Sequence, residues 1–172
     1  QVEVLRGPQG TRYGANALGG LINITTNAPT DTASLSFKAT SGDYETKTYG
    51  LIANSPLGNS VNARLVVESH KSDGYIENDF IDRNDTNGRD EMTLRGRLAW
   101  QVSEDWHIDL TLAKIDIDNG YDAFSLDNNR HSLSDEPGFD KQDSTYFAIK
   151  SLWQLESMDV EVLVNSSESD LA

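Results

Sequence analysis

Histidine and carboxylate side chains are the groups in this sequence that could hold a metal ion or move protons. The three histidines, His70, His107 and His131, show no metal-ligand spacing among themselves. No nucleophile elbow of the Gly-x-Ser-x-Gly type occurs, and the absence of cysteine removes thiolate chemistry. We therefore expect no catalytic residue, no cofactor and no metal site, and hence no enzyme.

A calcium site is the one metal alternative that the sequence leaves open. Asp116, Asp118 and Asp122 could supply carboxylate oxygens, the ligands that Ca²⁺ prefers. Their spacing does not satisfy an EF-hand, so ordinary solvated acid is the favoured interpretation.

Binding is better supported than catalysis, because two long segments combine aromatic, amide and basic side chains. Such groups suit the capture of a bulky polar ligand. The alternative is that they pack the loops against each other. The candidates are Tyr75 and Phe80 in the first segment and Tyr121, Phe124, Asn128, Arg130 and His131 in the second.

The charge balance excludes some partners. With 28 acidic and 14 basic residues the formal net charge is −14, which argues against nucleic acid as a ligand. Most of this charge lies in the long segments. Residues 73–91 carry seven acids against two arginines, and residues 116–143 carry eight acids against one arginine and one lysine.

Period-two alternation dominates the chain after residue 33. Between 91 and 102, for example, Met92, Leu94 and Leu98 share one face, whereas Arg95 and Arg97 share the other. Similar patterns predict seven strands, at 33–41, 46–57, 61–70, 91–102, 106–113, 144–155 and 158–165. No convincing helical pattern is present, so the expected fold is all-β.

The connections between these strands alternate in length. Those at 56–59, 103–105 and 156–157 are short, whereas those at 72–90 and 119–142 are long. In an up-and-down antiparallel order the short turns lie at one end and the long loops at the other, as in a transmembrane β-barrel. Trp100, Trp106 and Trp153 lie on the apolar faces beside short turns, which favours a membrane-interface girdle over a soluble core.

Glycine is concentrated in the first thirty residues. Residues 2–8 read Val-Glu-Val-Leu-Arg-Gly-Pro, 13–17 read Tyr-Gly-Ala-Asn-Ala, and 19–24 read Gly-Gly-Leu-Ile-Asn-Ile. This pattern resembles the end of the plug domain of TonB-dependent outer-membrane receptors, with Arg12 in a usually apolar position. The residues that carry the structural motif are Gly7, Pro8, Gly10, Tyr13, Gly14, Gly19, Gly20 and Asn23.

The resemblance implies an architecture and a function. Residues 1–30 would be the end of a plug and 31–172 the first third of a barrel of about 22 strands. The family takes up scarce ligands such as ferric siderophores, haem, cobalamin or glycans across the bacterial outer membrane. The energy comes from the proton gradient through TonB. Arg6 matches a plug residue thought to pair with carboxylates of the barrel wall.

The chain opens on Gln1 with no export signal, and we expect it to be a fragment whose signal and TonB-contacting segment lie upstream. Two other classes of protein remain as alternatives. One is a soluble or surface-attached β-domain that binds a ligand or Ca²⁺ through its acidic loops. The other is a passive porin, although a porin lacks an N-terminal plug.

Overall fold

The computed structural model describes residues 1–13, 17–122, 127 and 129–172. No helix in these ranges has the length and apolar character needed to cross a membrane. Seven long strands form the main sheet: β3 (Ser34–Ser41), β4 (Lys47–Pro56), β5 (Val61–Ser72), β8 (Arg89–Ser103), β9 (Trp106–Tyr121), β11 (Gly138–Gln154) and β12 (Asp159–Leu171). The shorter elements are β1 (Val2–Arg6), α1 (Gly10–Tyr13), β2 (Gly20–Ile24), β6 (Ile76–Asn78), β7 (Arg83–Thr86) and β10 (His131–Ser132).

The main sheet is an antiparallel meander, as the sequence predicts. Its strands lie in the order β12-β11-β9-β8-β5-β4-β3, so each long strand pairs with the next long strand along the chain. The short turns fall at one end and the two long connections at the other. The sheet is open within this chain, and the all-β, up-and-down architecture is confirmed.

The two faces of the sheet differ in chemistry along its whole width. One register row runs Ala63, Leu98, Leu110, Ile149 and Val164 across five adjacent strands. Because side chains alternate between faces, these residues form a continuous apolar stripe. We call this side of the sheet the outer face.

The outer face is uncovered among the described residues. Leu94 is 40% exposed, Trp100 44% and Leu112 58%, although all three are large apolar side chains. The opposite side, which we call the inner face, carries Arg64 and Arg97 directly opposite each other. An exposed apolar side and a charged side are the arrangement of a barrel wall, with hydrocarbon outside and a polar lumen within.

Five strands are longer than the alternation predicts, three of them by at least five residues. The predicted segments at 106–113, 144–155 and 158–165 correspond to Trp106–Tyr121, Gly138–Gln154 and Asp159–Leu171. Beyond the apolar stripe the outer face becomes charged, with Lys114 paired to Asp143 and Lys141 Nζ 2.9 Å from Asp118. The backbone ladder continues there, but the apolar signal that marks a strand has ended. The predicted loops at 72–90 and 119–142 are correspondingly shorter, 73–88 and 122–137.

The described part of residues 1–30 forms a small unit of its own, which we call the glycine-rich unit. β1 and β2 pair antiparallel, with Arg6 opposite Gly20, and one helical turn, α1, lies between them. That turn was not predicted, since a single turn is too short to show a helical period. Gly7 has a φ of 82° and Gly20 a φ of 147°, which favour glycine, and a Cβ on Gly20 would lie 2.6 Å from the Leu5 carbonyl oxygen.

Asn54 joins the end of this unit to the inner face of the wall. Its side chain, only 3% exposed, donates from Nδ2 to the carbonyl oxygens of Thr30 (2.9 Å) and Thr32 (2.7 Å). Its Oδ1 accepts from the Thr30 amide at 2.9 Å. Arg97 adds a second attachment, because its Nη1 donates to the carbonyl oxygens of Thr26 (3.1 Å) and Asn27 (3.0 Å). The sequence identified neither residue as a contact.

The Asn54→Ala substitution tests this attachment. We expect it to weaken docking of the Thr30 segment by about 1–3 kcal/mol, because three hydrogen bonds to the backbone of Thr30 and Thr32 are lost. Peptide-level hydrogen exchange of the purified protein would show faster exchange at Thr30. Asn62→Ala, on the same face of the neighbouring strand, is the control and should leave that exchange unchanged. Equal exchange in wild type and Asn54→Ala would contradict the assignment.

Candidate functional site

The two long connections meet at one end of the sheet and form a compact group. We call residues 42–46, 73–88 and 122–137, as far as the structure describes them, the loop cluster. Within it β6 pairs antiparallel with β7 and parallel with β10, giving a three-stranded sheet. The amides of Glu77 and Asp79 donate to the carbonyl oxygens of Arg130 and Ser132, each at 2.9 Å. The sequence did not predict this sheet.

Buried polar side chains hold the two loops together. Asn78 is fully buried and donates to Asp122 Oδ2 at 2.8 Å, while Ser132 donates to Asp122 Oδ1 at 2.6 Å. Asn78 Oδ1 also accepts from the amide of Phe80 at 3.0 Å. Thr86 donates to the Ile76 carbonyl oxygen at 3.0 Å. The core of the loop cluster is therefore largely polar and hydrogen-bonded, with Ile76 as a buried apolar side chain beside it.

The surroundings of Asp122 favour the ionised form of its carboxyl group. Burial by itself would raise the pKa of its carboxyl group. Hydrogen bonds to the carboxylate, chiefly those donated by Ser132 and Asn78, outweigh that effect, so that the pKa is lowered. A buried carboxylate with several donors stabilises the arrangement only while it is charged.

Tyr44, in the short turn between β3 and β4, is a component that the sequence did not single out. Arg130 Nη1 donates to its hydroxyl group, and its ring lies 6.2 Å from the ring of Tyr75. The Asp73 amide donates to the Tyr44 carbonyl oxygen at 3.0 Å. An aromatic residue in a turn at the long-loop end was the available signal, but its partners lie 31 and 86 positions away in the sequence.

The structure places the predicted ligand residues in different surroundings. Tyr75 and Arg130 come together around Tyr44, whereas Phe80 and Tyr121 are exposed, 63% and 60%. His131 also lies on the surface of the cluster. Phe124 and Asn128 lie outside the described residues. The five described candidates share the long-loop end of the sheet, and the contact of any of the seven with a ligand stays a prediction.

His131 is the side chain of this cluster best placed to hold a metal ion. Its Nδ1 lies 3.2 Å from Asp79 Oδ2 and its Nε2 lies 3.9 Å from Glu77 Oε2. All three side chains are exposed, and the same geometry describes an imidazole between two carboxylates at the surface. The acids considered for calcium do not assemble: Asp118 pairs with Lys141, while Asp122 is buried in the loop core.

The tryptophans lie near the short turns, on the outer face. Trp106 and Trp153 are directly opposite in the register and stack with ring centroids 5.8 Å apart. Trp106 Nε1 donates to Ser151 Oγ at 2.8 Å, and Trp100 lies on the same face. Indole groups with an apolar surface and a bonded N–H suit the membrane interface, and this location stays a prediction.

The predicted plug residues have mixed surroundings. Arg6 is exposed at the end of β1 and makes no side-chain hydrogen bond or ion pair with any residue that the structure describes. Asn23 Nδ2 donates to Glu3 Oε2 at 2.9 Å across the β1–β2 pair. Gly14 lies outside the described residues. A wall carboxylate as the partner of Arg6 stays a prediction.

Asp122→Ala tests the polar core of the loop cluster. We expect the β6–β10 pairing to lose about 1–3 kcal/mol, because Asn78 and Ser132 lose a charged acceptor. Hydrogen-exchange protection of the Glu77 and Asp79 amides measures this loss. The control Asp135→Ala removes an exposed acid of the same loop and should leave the protection of these two amides unchanged.

The same amides report the pH dependence. A carboxyl group whose folded pKa is lowered contributes stability above its unfolded value of about 3.9, and that stability is lost as the pH falls through the folded value. Protection factors should therefore fall in acid for wild type and stay nearly constant for Asp122→Ala. Equal protection in the two proteins at neutral pH would show that Asp122 does not hold the loops.

Comparison with known proteins gives the wider context. No protein-family model matches the chain. It is 30% identical over 108 residues to the vitamin B12 transporter BtuB of Vibrio vulnificus, covering 63% of this chain and 18% of that protein. It is 29% identical over 143 residues to the ferric enterobactin receptor PirA of Pseudomonas aeruginosa, covering 75% of this chain and 19% of that protein. The chain thus spans less than a fifth of the length of these curated relatives.

The fold matches solved receptors over nearly the whole chain. The crystal structure of the ferric yersiniabactin uptake receptor FyuA from Yersinia pestis superimposes with a TM-score of 0.86, at 18% identity, over 99% of this chain and 28% of that one. An identity this low shows a shared fold. Together with the sequence relatives, it shows that the chain is similar to TonB-dependent outer-membrane receptors, which are proteins of the bacterial outer membrane.

Proposed function

We propose that this chain is the junction between plug and barrel in a receptor that takes up a scarce ligand, such as a ferric siderophore. Residues 1–30 are the end of the plug, and residues 31–172 are the first strands of the wall. The ligand binds at the loop cluster. TonB, which draws on the proton gradient, acts on a plug segment outside this chain to open the path.

The observation that carries this proposal is the attachment of the glycine-rich unit to the charged face of an amphipathic wall. Asn54 and Arg97 hold its end by hydrogen bonds on the side opposite the apolar stripe. A unit placed there fills the lumen, which supports gated uptake rather than a passive pore. The named relatives, a vitamin B12 transporter and a ferric enterobactin receptor, support a small nutrient as the ligand.

The loop cluster is suited to the first contact with such a ligand. Exposed rings of Tyr75 and Phe80 offer apolar surface, and the Arg130 guanidinium adds a charged donor. The buried bonds among Asn78, Asp122 and Ser132 hold the strands that carry these groups. A preorganised surface loses less conformational entropy on binding than a loose loop would.

Uptake by cells tests the proposal. The intact receptor is expressed in cells that lack their own receptors, and ⁵⁵Fe-enterobactin, ⁵⁵Fe-yersiniabactin, ⁵⁵Fe-haem and ⁵⁷Co-cobalamin serve as probes. We expect saturable uptake of one probe that falls to background when TonB is deleted. Uptake that persists without TonB would indicate a passive porin, and no uptake of any probe by cells with folded receptor would contradict the proposed ligand class.

Substitution in the loop cluster then tests the binding residues. For the transported probe, Tyr75→Ala should raise the half-saturating concentration about tenfold, because truncation of an aromatic anchor costs more than about 1 kcal/mol. The matched control is Tyr49→Ala, which removes an exposed tyrosine from the outer face of β4. An equal effect of the two substitutions would exclude Tyr75 as a ligand contact.

A further inference from the structure

The inner face carries a group of basic side chains that the docking of the first thirty residues does not fully use. Arg64 lies on β5, and Arg95 and Arg97 lie on β8. They line a cavity of about 270 Å³ between the wall and the glycine-rich unit, whose other walls include Val2, Ile24 and Thr25. We call this space the arginine cavity.

The positive charge of this cavity is poorly compensated. Arg64 and Arg95 are half-buried and make no side-chain hydrogen bond or ion pair within the described part of the chain. Arg97 has one acidic neighbour, Asp109, at 3.8 Å, and its Nε is buried without a hydrogen-bond partner. Three guanidinium groups thus face one carboxylate in a chain whose net charge is −14.

The register makes this arrangement unfavourable unless an anion is present. Arg64 and Arg97 are directly opposite across the β5–β8 pair, and like charges in that relation destabilise a sheet. A buried donor without a partner adds a further cost. The outer face of the same strands is apolar, so the cavity lies level with the middle of the hydrocarbon stripe, where the wall shields it from bulk water on one side.

We propose that the arginine cavity binds a carboxylate. The planar guanidinium fork presents paired donors that match the two oxygens of a carboxylate, and two or three such groups around one cavity can bind it from different sides. The carboxylate can belong to an acidic transported molecule or to an Asp or Glu of the receptor outside this chain. The inference does not depend on the proposed uptake, because binding is measured on the purified protein.

Citrate is the probe for a free carboxylate. The intact receptor in detergent is titrated with citrate at constant ionic strength, with glycerol as the uncharged control. We expect citrate, but not glycerol, to bind and to raise the thermal unfolding midpoint of the protein. The double variant Arg64→Gln/Arg95→Gln should bind citrate at least tenfold more weakly, and Arg95→Lys should retain part of the affinity. Lys38→Gln, a change on the same face outside the cavity, should leave the affinity unaltered.

Stability without citrate tests the second source. If a carboxylate of the receptor itself fills the cavity, citrate does not bind, the double variant unfolds at a lower temperature than wild type, and Arg95→Glu lowers the midpoint further. Two results overturn the proposal. One is citrate binding that the double variant retains in full, and the other is no citrate binding together with an unchanged or raised midpoint in the double variant.

Discussion

The unbroken hydrogen-bonded ladder of the seven long strands is the constraint on which the rest of the structure depends. A chain in hydrocarbon has no water to satisfy its amide and carbonyl groups, so each must pair with a neighbouring strand. Pairing between consecutive long strands meets this requirement, and the pleat then sends alternate side chains to opposite faces. Where the outer face is apolar, polar side chains such as Asn54, Arg64 and Arg97 lie on the inner face.

The inner face determines what can pack there. Asn54 offers an amide whose donor and acceptor both meet backbone groups of Thr30, and Arg97 binds two successive carbonyl oxygens. Irregular backbone is tolerated at membrane depth only when it is buried in protein in this way. Gly20 contributes by close approach, since a Cβ there would overlap the Leu5 carbonyl oxygen. The polar side chains of the inner face thus provide hydrogen-bond partners for the irregular backbone of the glycine-rich unit.

Much of the wall follows from the sequence because its determinants are local. Leu94, Leu98 and Leu110 occupy alternate positions of their strands and so identify the outer face. The short connections identify one end of the sheet. Strand ends are different, because the outer face of β9 becomes charged from Lys114 onward while the backbone pairing continues. A pattern of apolar residues identifies only the part of a strand that contacts hydrocarbon. It does not identify the part of the strand that extends beyond the hydrocarbon into water.

The structure of the loop cluster could not be predicted from local sequence patterns. β6 and β10 are three and two residues long, and their parallel pairing joins segments more than fifty positions apart. Asn78 and Asp122 have the composition of ordinary loop residues, yet they form its buried core. Predicting them requires the partner to be known first. The candidate ligand residues that the structure describes could be assigned to the correct end of the sheet, whereas the role of Tyr44 could not be foreseen.

Lipid exposure along β8 is the most direct test of this account. Single spin labels at positions 93–100 of the intact receptor, reconstituted in phospholipid bilayers, can be probed with oxygen, which concentrates in hydrocarbon, and with a polar nickel chelate. The account predicts a period of two, with high oxygen accessibility at positions 94, 98 and 100 and low values at 93, 95 and 97. Uniform accessibility, or labels at 94 and 98 shielded from oxygen, would show that this face packs against protein and would contradict it.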